Sequence, residues 1–120
     1  MTELPKGWNL PENDDIRVQN IECLSDNWYQ LYRVSFDLRR SNGEWQHQQR
    51  EAYDRGNGAG ILLCNRGAGA VVLTRQFRLP SFVNGHENGM LIEVPAGLLD
   101  DRDPASAVIA EVEEETGYRI

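Results

Sequence analysis

The chain has 120 residues and a formal charge of −7, with 40% hydrophobic and 26% charged residues. That length suits one domain with a modest core, and that mixture is globular rather than disordered. The acidic balance excludes a general nucleic-acid binder, which needs clustered Lys and Arg against phosphate. It leaves room for an anionic substrate, because a bound divalent cation or a few local arginines can reverse the field within one cleft.

Pro5, Gly7, Pro11 and the run Glu12-Asn13-Asp14-Asp15 make residues 1–15 an irregular stretch, and an N-terminal arm is expected over 1–27. The sequence has no 18-residue apolar run and no apolar signal core near its start. No membrane contact is therefore predicted, and the cytoplasm is the expected compartment. Trp28 to Arg39 alternates polar and apolar side chains, which predicts a long strand. Ser41-Asn42-Gly43 is a hairpin signal, because Asn-Gly accepts positive φ. Glu44 to Tyr53 is the expected return strand, polar on both faces and so exposed or at a subunit contact.

Arg55-Gly56-Asn57-Gly58 predicts a turn, Ala59 to Cys64 a short apolar strand, and Ala70 to Thr74 a buried strand. Residues 76–80 lead out of it, 81–89 form a loop, and Met90 to Val94 is a further strand. Cys23 and Cys64 sit among apolar residues and are expected to be buried, reduced thiols.

One helix follows. Asp103 suits the N-cap, Pro104 the first helical position and Gly117 the stop. Ala105, Val108, Ile109 and Val112 form its expected apolar face. Its last turns carry Glu111, Glu113, Glu114 and Glu115, of which Glu111, Glu114 and Glu115 share a face. Like charges at these spacings repel by about 0.2–0.5 kcal/mol per pair. Carboxylates near a helix C-terminus also oppose its dipole, by roughly 0.3–1 kcal/mol each. A divalent cation removes both penalties, and Mg²⁺ favours carboxylate and phosphate oxygen. Taken alone, the cluster reads more readily as a solvated acidic face, because Glu-rich helix surfaces are common.

The surrounding chain changes that balance. Leu91 to Asp100 reads Leu-Ile-Glu-Val-Pro-Ala-Gly-Leu-Leu-Asp, and after the helix start comes Glu111-Val112-Glu113-Glu114-Glu115-Thr116-Gly117-Tyr118. Residues 97–118 resemble the Nudix box, the loop-helix-loop G-x5-E-x7-R-E-U-x-E-E-x-G-U with U apolar. Tyr53-Asp54-Arg55-Gly56-Asn57-Gly58, Arg75-Gln76-Phe77-Arg78 and Val83-Asn84-Gly85 extend the resemblance to the GDP-mannose hydrolase branch, kin of the ADP-ribose pyrophosphatases. The resemblance implies an α/β (α+β) class: a Nudix α/β/α sandwich with a mixed sheet, here incomplete, with an N-terminal antiparallel hairpin. The domain would cover 28–120, with 28–53 as a dimerisation hairpin. The chain ends at Ile120, short of the family's later strands and second helix.

The same resemblance implies Mg²⁺-dependent cleavage (Mn²⁺ as a substitute) of a nucleoside diphosphate sugar, GDP-mannose or ADP-ribose, by a homodimer. Glu111 and Glu115 would be the main metal ligands, joined by the Ala96 carbonyl. Glu114 would be an additional ligand or would support the ligands from behind, and Glu93 would contact metal-bound water or substrate. Glu93, Glu114 and Glu115 would form the catalytic set. Arg75 suits a diphosphate oxygen, with Arg78 beside it on the same face, opposite Gln76. Trp28 or Trp45 could stack a base, His47 could read it, and Arg55 would bind substrate or, equally, act within the dimer. His47 and His86 are not at metal-ligand spacing.

Two departures stand out. Ala110 occupies the box-arginine position, and the loop before the helix is one residue short, with Arg102 and Asp103 near the place of the first box glutamate. A module that binds nucleotide or metal, or only dimerises, without turnover is therefore the competing expectation. Slow or absent turnover is expected of these 120 residues alone.

Overall fold

A computed structural model of the chain describes residues 3–120, so the first two residues of the expected arm lie outside the described residues. The chain forms two compact units, Met1–Arg55 and Gly56–Ile120. No helix among the described residues is long and apolar enough to cross a membrane.

The first unit is a three-stranded antiparallel sheet in the order β1 (Ile16–Asp26), β2 (Gln30–Arg39), β3 (Trp45–Asp54). β2 and β3 are the predicted strand and its return, joined by a tight turn in which Gly43 has φ 87°. Trp28, expected in β2, instead lies on the bend before it. β1 corrects the expected arm, whose second half is an edge strand. Its pairing with β2 slips between Val18 and Asn20 and again between Cys23 and Ser25. Each slip adds one unpaired residue. Its better-covered apolar side chains are consequently Val18, Ile21 and Leu24, three residues apart, so the period-two signature of a strand is lost. Residues 3–15 have no regular structure beyond turns. They are tied down by Trp8, whose indole donates to Asp54 at 2.9 Å and meets Tyr32 edge-on, and by an Asp15–Arg39 ion pair at 2.6 Å.

The second unit holds three short antiparallel pairs and two helices. β4 (Gly58–Gly60) pairs with β9 (Ala96–Leu98), β5 (Leu63–Asn65) with β6 (Ala70–Val72), and β7 (Thr74–Phe77) with β8 (Met90–Glu93). The expected strand 59–64 is thus two strands, because the chain leaves one partner and joins another at Ile61-Leu62. The expected buried strand 70–74 is likewise two, and Val71 and Leu73 on it are exposed. Val72, Thr74 and Gln76 are the half-buried positions, at clean strand alternation. The 81–89 loop begins inside a short helix, α1 (Leu79–Val83). Every described strand pair is antiparallel, so the parallel element of the expected mixed sheet is not among them. A parallel pair needs a crossover, and no described strand follows the one long helix.

That helix, α2 (Pro104–Thr116), keeps its predicted bounds. Asp103 accepts a hydrogen bond from the Ser106 amide, and Gly117 closes the helix at φ 77°. Its buried residues are Ala107 and Val112, while Ala105 and Ile109 of the expected apolar face are exposed. The helix packs on β4 and β9 through a face rotated from the most apolar one, and this rotation carries Glu111 inward. Both cysteines are exposed rather than buried, and both are free thiols.

Candidate active site

Glu111 is largely enclosed, its side chain 19% exposed. It lies over Gly97 of β9, where an added Cβ would overlap the carboxyl group. The β4–β9 pair therefore offers a notch shaped for this side chain. Burial, then the nearby Glu114 and Glu115, pushes the Glu111 carboxyl above its usual range, while Arg102 pulls the other way. Arg102 sits 3.9 Å from Glu111 Oε1.

One turn further on, Glu115 Oε1 accepts a hydrogen bond from the Gln76 amide at 3.3 Å. The same amide nitrogen reaches Thr74 Oγ1 at 3.1 Å, so β7 holds the glutamate through two aligned polar side chains. Glu115 Oε2 is buried without a hydrogen-bond partner. An unsatisfied buried carboxylate oxygen costs free energy unless a cation or donor reaches it. Glu115 also lines a cleft of about 440 Å³ with Arg75, Gln76, Thr116 and Tyr118. Arg75, exposed on β7, lines the same cleft.

Other expectations fare differently. Arg78 does not share the Arg75 side of β7; its Nε donates to Glu93 Oε2 at 2.8 Å, on the Thr74 and Gln76 side. Glu93 is accordingly engaged in an ion pair. Ala96 opens β9 opposite Gly60, next to the Gly97 notch. Glu114 is exposed, and Glu113 points away to pair with Arg119 at 3.5 Å. His86 accepts from the Gly89 amide at 3.0 Å and staples the turn after α1.

Trp28, His47 and Arg55 all belong to the first unit. Trp28 is 86% exposed and stacks on Tyr29, with ring centroids 6.0 Å apart. Arg55 lies over the same Tyr29 ring, 5.2 Å from its centroid. His47 Nδ1 is 2.9 Å from Asp37 Oδ1 across β2 and β3. Trp45 is covered by Arg17 at 3.8 Å, which occupies a face a base would need. Gln76 was not anticipated as a site residue; its signal was strand alternation, which puts it with Thr74 on the half-buried side.

Among the described residues no three His, Cys, Asp or Glu side chains converge as a ready cage for a metal ion. The arrangement is instead two carboxylates one helical turn apart, one with an orphaned oxygen. That open donor set suits a hard cation that keeps water or takes phosphate as further ligands.

The family model for the NUDIX domain matches residues 54–120, and that of the N-terminal domain of GDP-mannose pyrophosphatase NudK matches 15–53. The chain belongs to the Nudix family. A GDP-mannose pyrophosphatase of Pectobacterium atrosepticum is 57% identical over 105 residues, covering 88% of this chain and 54% of that protein. One from Yersinia pestis is 50% identical over 107 residues, again covering 88% and 54%. The chain therefore spans about half the length of the curated relatives it matches. A solved structure described as an ADP compounds hydrolase shares the fold at TM-score 0.57 and 18% identity, over 92% of this chain and 55% of that one. The boundary between the two family models, 53/54, falls within two residues of the boundary between the two units.

Proposed function

We propose that this Nudix chain serves the divalent-metal-dependent hydrolysis of a nucleoside diphosphate sugar, with GDP-mannose the first substrate to try. The observation that carries the reading is the Glu111–Glu115 pair on α2: one carboxylate set in the Gly97 notch, the other with a buried, unpartnered oxygen. These two glutamates and the Ala96 carbonyl would hold Mg²⁺ or Mn²⁺, with Glu114 as a further ligand from solvent. When bound, the cation would neutralise the diphosphate and acidify an attacking water. Arg75 would clamp a diphosphate oxygen from the cleft wall. Glu93, oriented by Arg78, would contact the water or the substrate. Water adds to one phosphorus, the P–O–P bridge breaks, and a nucleoside monophosphate and a sugar phosphate leave.

The exposed Trp28 ring suits base stacking, with His47 and Arg55 as polar contacts delivered by a second copy of the chain. A cytoplasmic homodimer without nucleic-acid or membrane partners completes the proposal. The test is to incubate the chain, and a chain of its relatives' length, with GDP-mannose and ADP-ribose plus Mg²⁺, and to follow monophosphate release. Release by the longer chain that is lost in Glu111→Gln supports the reading. No release from any nucleotide sugar, with Mn²⁺ still bound, favours a binding module, for which Ala110 at the box-arginine position speaks.

A further inference from the structure

The loop between β9 and α2 is closed by one side chain. Arg102 donates its backbone amide to the Leu99 carbonyl at 2.9 Å, its Nε to the same carbonyl at 3.1 Å and its Nη2 to the Leu98 carbonyl at 3.4 Å. The loop needs such a closure. Asp100 and Asp101 both adopt positive φ, at 49° and 66°, a region that costs a residue with a Cβ about 1–2 kcal/mol. The anchored guanidinium is 3.9 Å from Glu111 Oε1 and 4.0 Å from Asp100 Oδ2. Among the described residues it forms the one recorded ion pair of Glu111. Ala110, one residue before Glu111 on the helix, offers no charge of its own.

We propose that Arg102 is the positioning residue for Glu111, holding the carboxylate in the Gly97 notch from the loop side. The proposal rests on the metal reading above. The fork of Arg102 is fixed by carbonyls it cannot leave cheaply, so its charge is presented at a defined point. Glu111, crowded by Glu114 and Glu115, is drawn toward that point rather than out to solvent.

Positioning and plain charge give opposite signs, which makes the idea testable. A cation near a metal ligand repels the metal, so deleting Arg102 for its charge alone would leave Mn²⁺ binding unchanged or tighter. If Arg102 positions Glu111, deletion weakens binding, by about 10-fold on the scale seen for groups that orient metal ligands. Mn²⁺ affinity would be measured on the 120-residue protein by electron paramagnetic resonance of free Mn²⁺, for wild type, Arg102→Ala, Arg102→Lys and Glu111→Gln. Amide hydrogen exchange over residues 97–103 would be followed in parallel. The expected order is wild type tightest, Arg102→Lys intermediate as a partial rescue, and Arg102→Ala and Glu111→Gln weakest. Unchanged or tighter binding in Arg102→Ala, with or without a loosened loop, overturns the proposal. Should Arg102→Ala fail to fold, the same outcome in Arg102→Lys overturns it. Glu111→Gln binding Mn²⁺ as wild type does would instead sink the metal reading itself.

Discussion

Gly97 and Glu111 show how one missing Cβ can make a site. The backbone at Gly97 does not adopt positive φ, so alanine is conformationally permitted there, and strand pairing to Ala59 can persist. What alanine cannot do is share space with the Glu111 carboxyl group. The glutamate must turn away from its Cγ outward, because the atoms the new Cβ would meet, Cγ, Cδ and Oε1, all belong to that flexible side chain rather than to backbone. Gly97→Ala is therefore expected to keep the fold, with the usual gain of about 0.4–1 kcal/mol from a less flexible unfolded chain offsetting part of the disturbance. Glu111-dependent Mn²⁺ binding should fall on the order of 10-fold. Circular dichroism together with Mn²⁺ titration separates the two effects; full Mn²⁺ binding in Gly97→Ala would remove the notch from the argument.

At the scale of the element, α2 carries opposite proton linkages at its two ends. Hydrogen bonds from the Ser106 hydroxyl and amide hold the Asp103 carboxyl below its ordinary range. A lowered folded-state pKa contributes stability that is present above the unfolded value and lost as pH falls through the folded one. Glu111 runs the other way: burial and its acidic neighbours raise it, so its ionised form is penalised as pH climbs past the ordinary glutamate value. At pH 7 without metal, Asp103→Ala should lower the melting temperature and Glu111→Gln should raise it. Both differences should shrink in acid, below the ordinary carboxylate range. A Glu111→Gln protein that melts lower than wild type at pH 7 would contradict the Glu111 half. This helix was also the element most legible in the sequence, since Asp103, Pro104 and Gly117 act locally and need no partner. Its buried face was not: Ala107 is less apolar than Ile109, and only the β4–β9 surface decides which of them turns inward. β1 was hidden for a related reason, because two register slips turn a period of two into a period near three. The Glu111–Glu115 pair could be read from helical spacing, but Gln76 on Glu115 and Arg102 beside Glu111 depend on contacts 39 and 9 residues apart in sequence, which no local pattern encodes.

On the scale of the whole molecule, little apolar surface is fully enclosed. Ile21, Ala107 and Val112 are the buried hydrophobic residues among those described, whereas Leu62, Phe77, Leu79, Val83 and Ile92 are half exposed or more. The first unit is leaner still, a three-stranded sheet whose one buried apolar side chain is Ile21. Three strands fold independently only when a hydrophobic face is covered. β2 is half covered along nearly its whole length, with no side chain fully enclosed, which leaves apolar area that a second copy could bury. If the homodimer proposed above forms, folding and association are linked, and stability must rise with protein concentration. Each tenfold increase then adds up to about 1.4 kcal/mol, a shift of several degrees for a protein of this size. Melting curves from micromolar to hundred-micromolar protein, paired with sedimentation equilibrium, would measure it. Ile21→Asp, which sets a charge into the sheet, should lower both the melting temperature and the dimer population. A melting temperature independent of concentration, with a single monomeric species throughout, would rule out a second copy as the cover for this sheet.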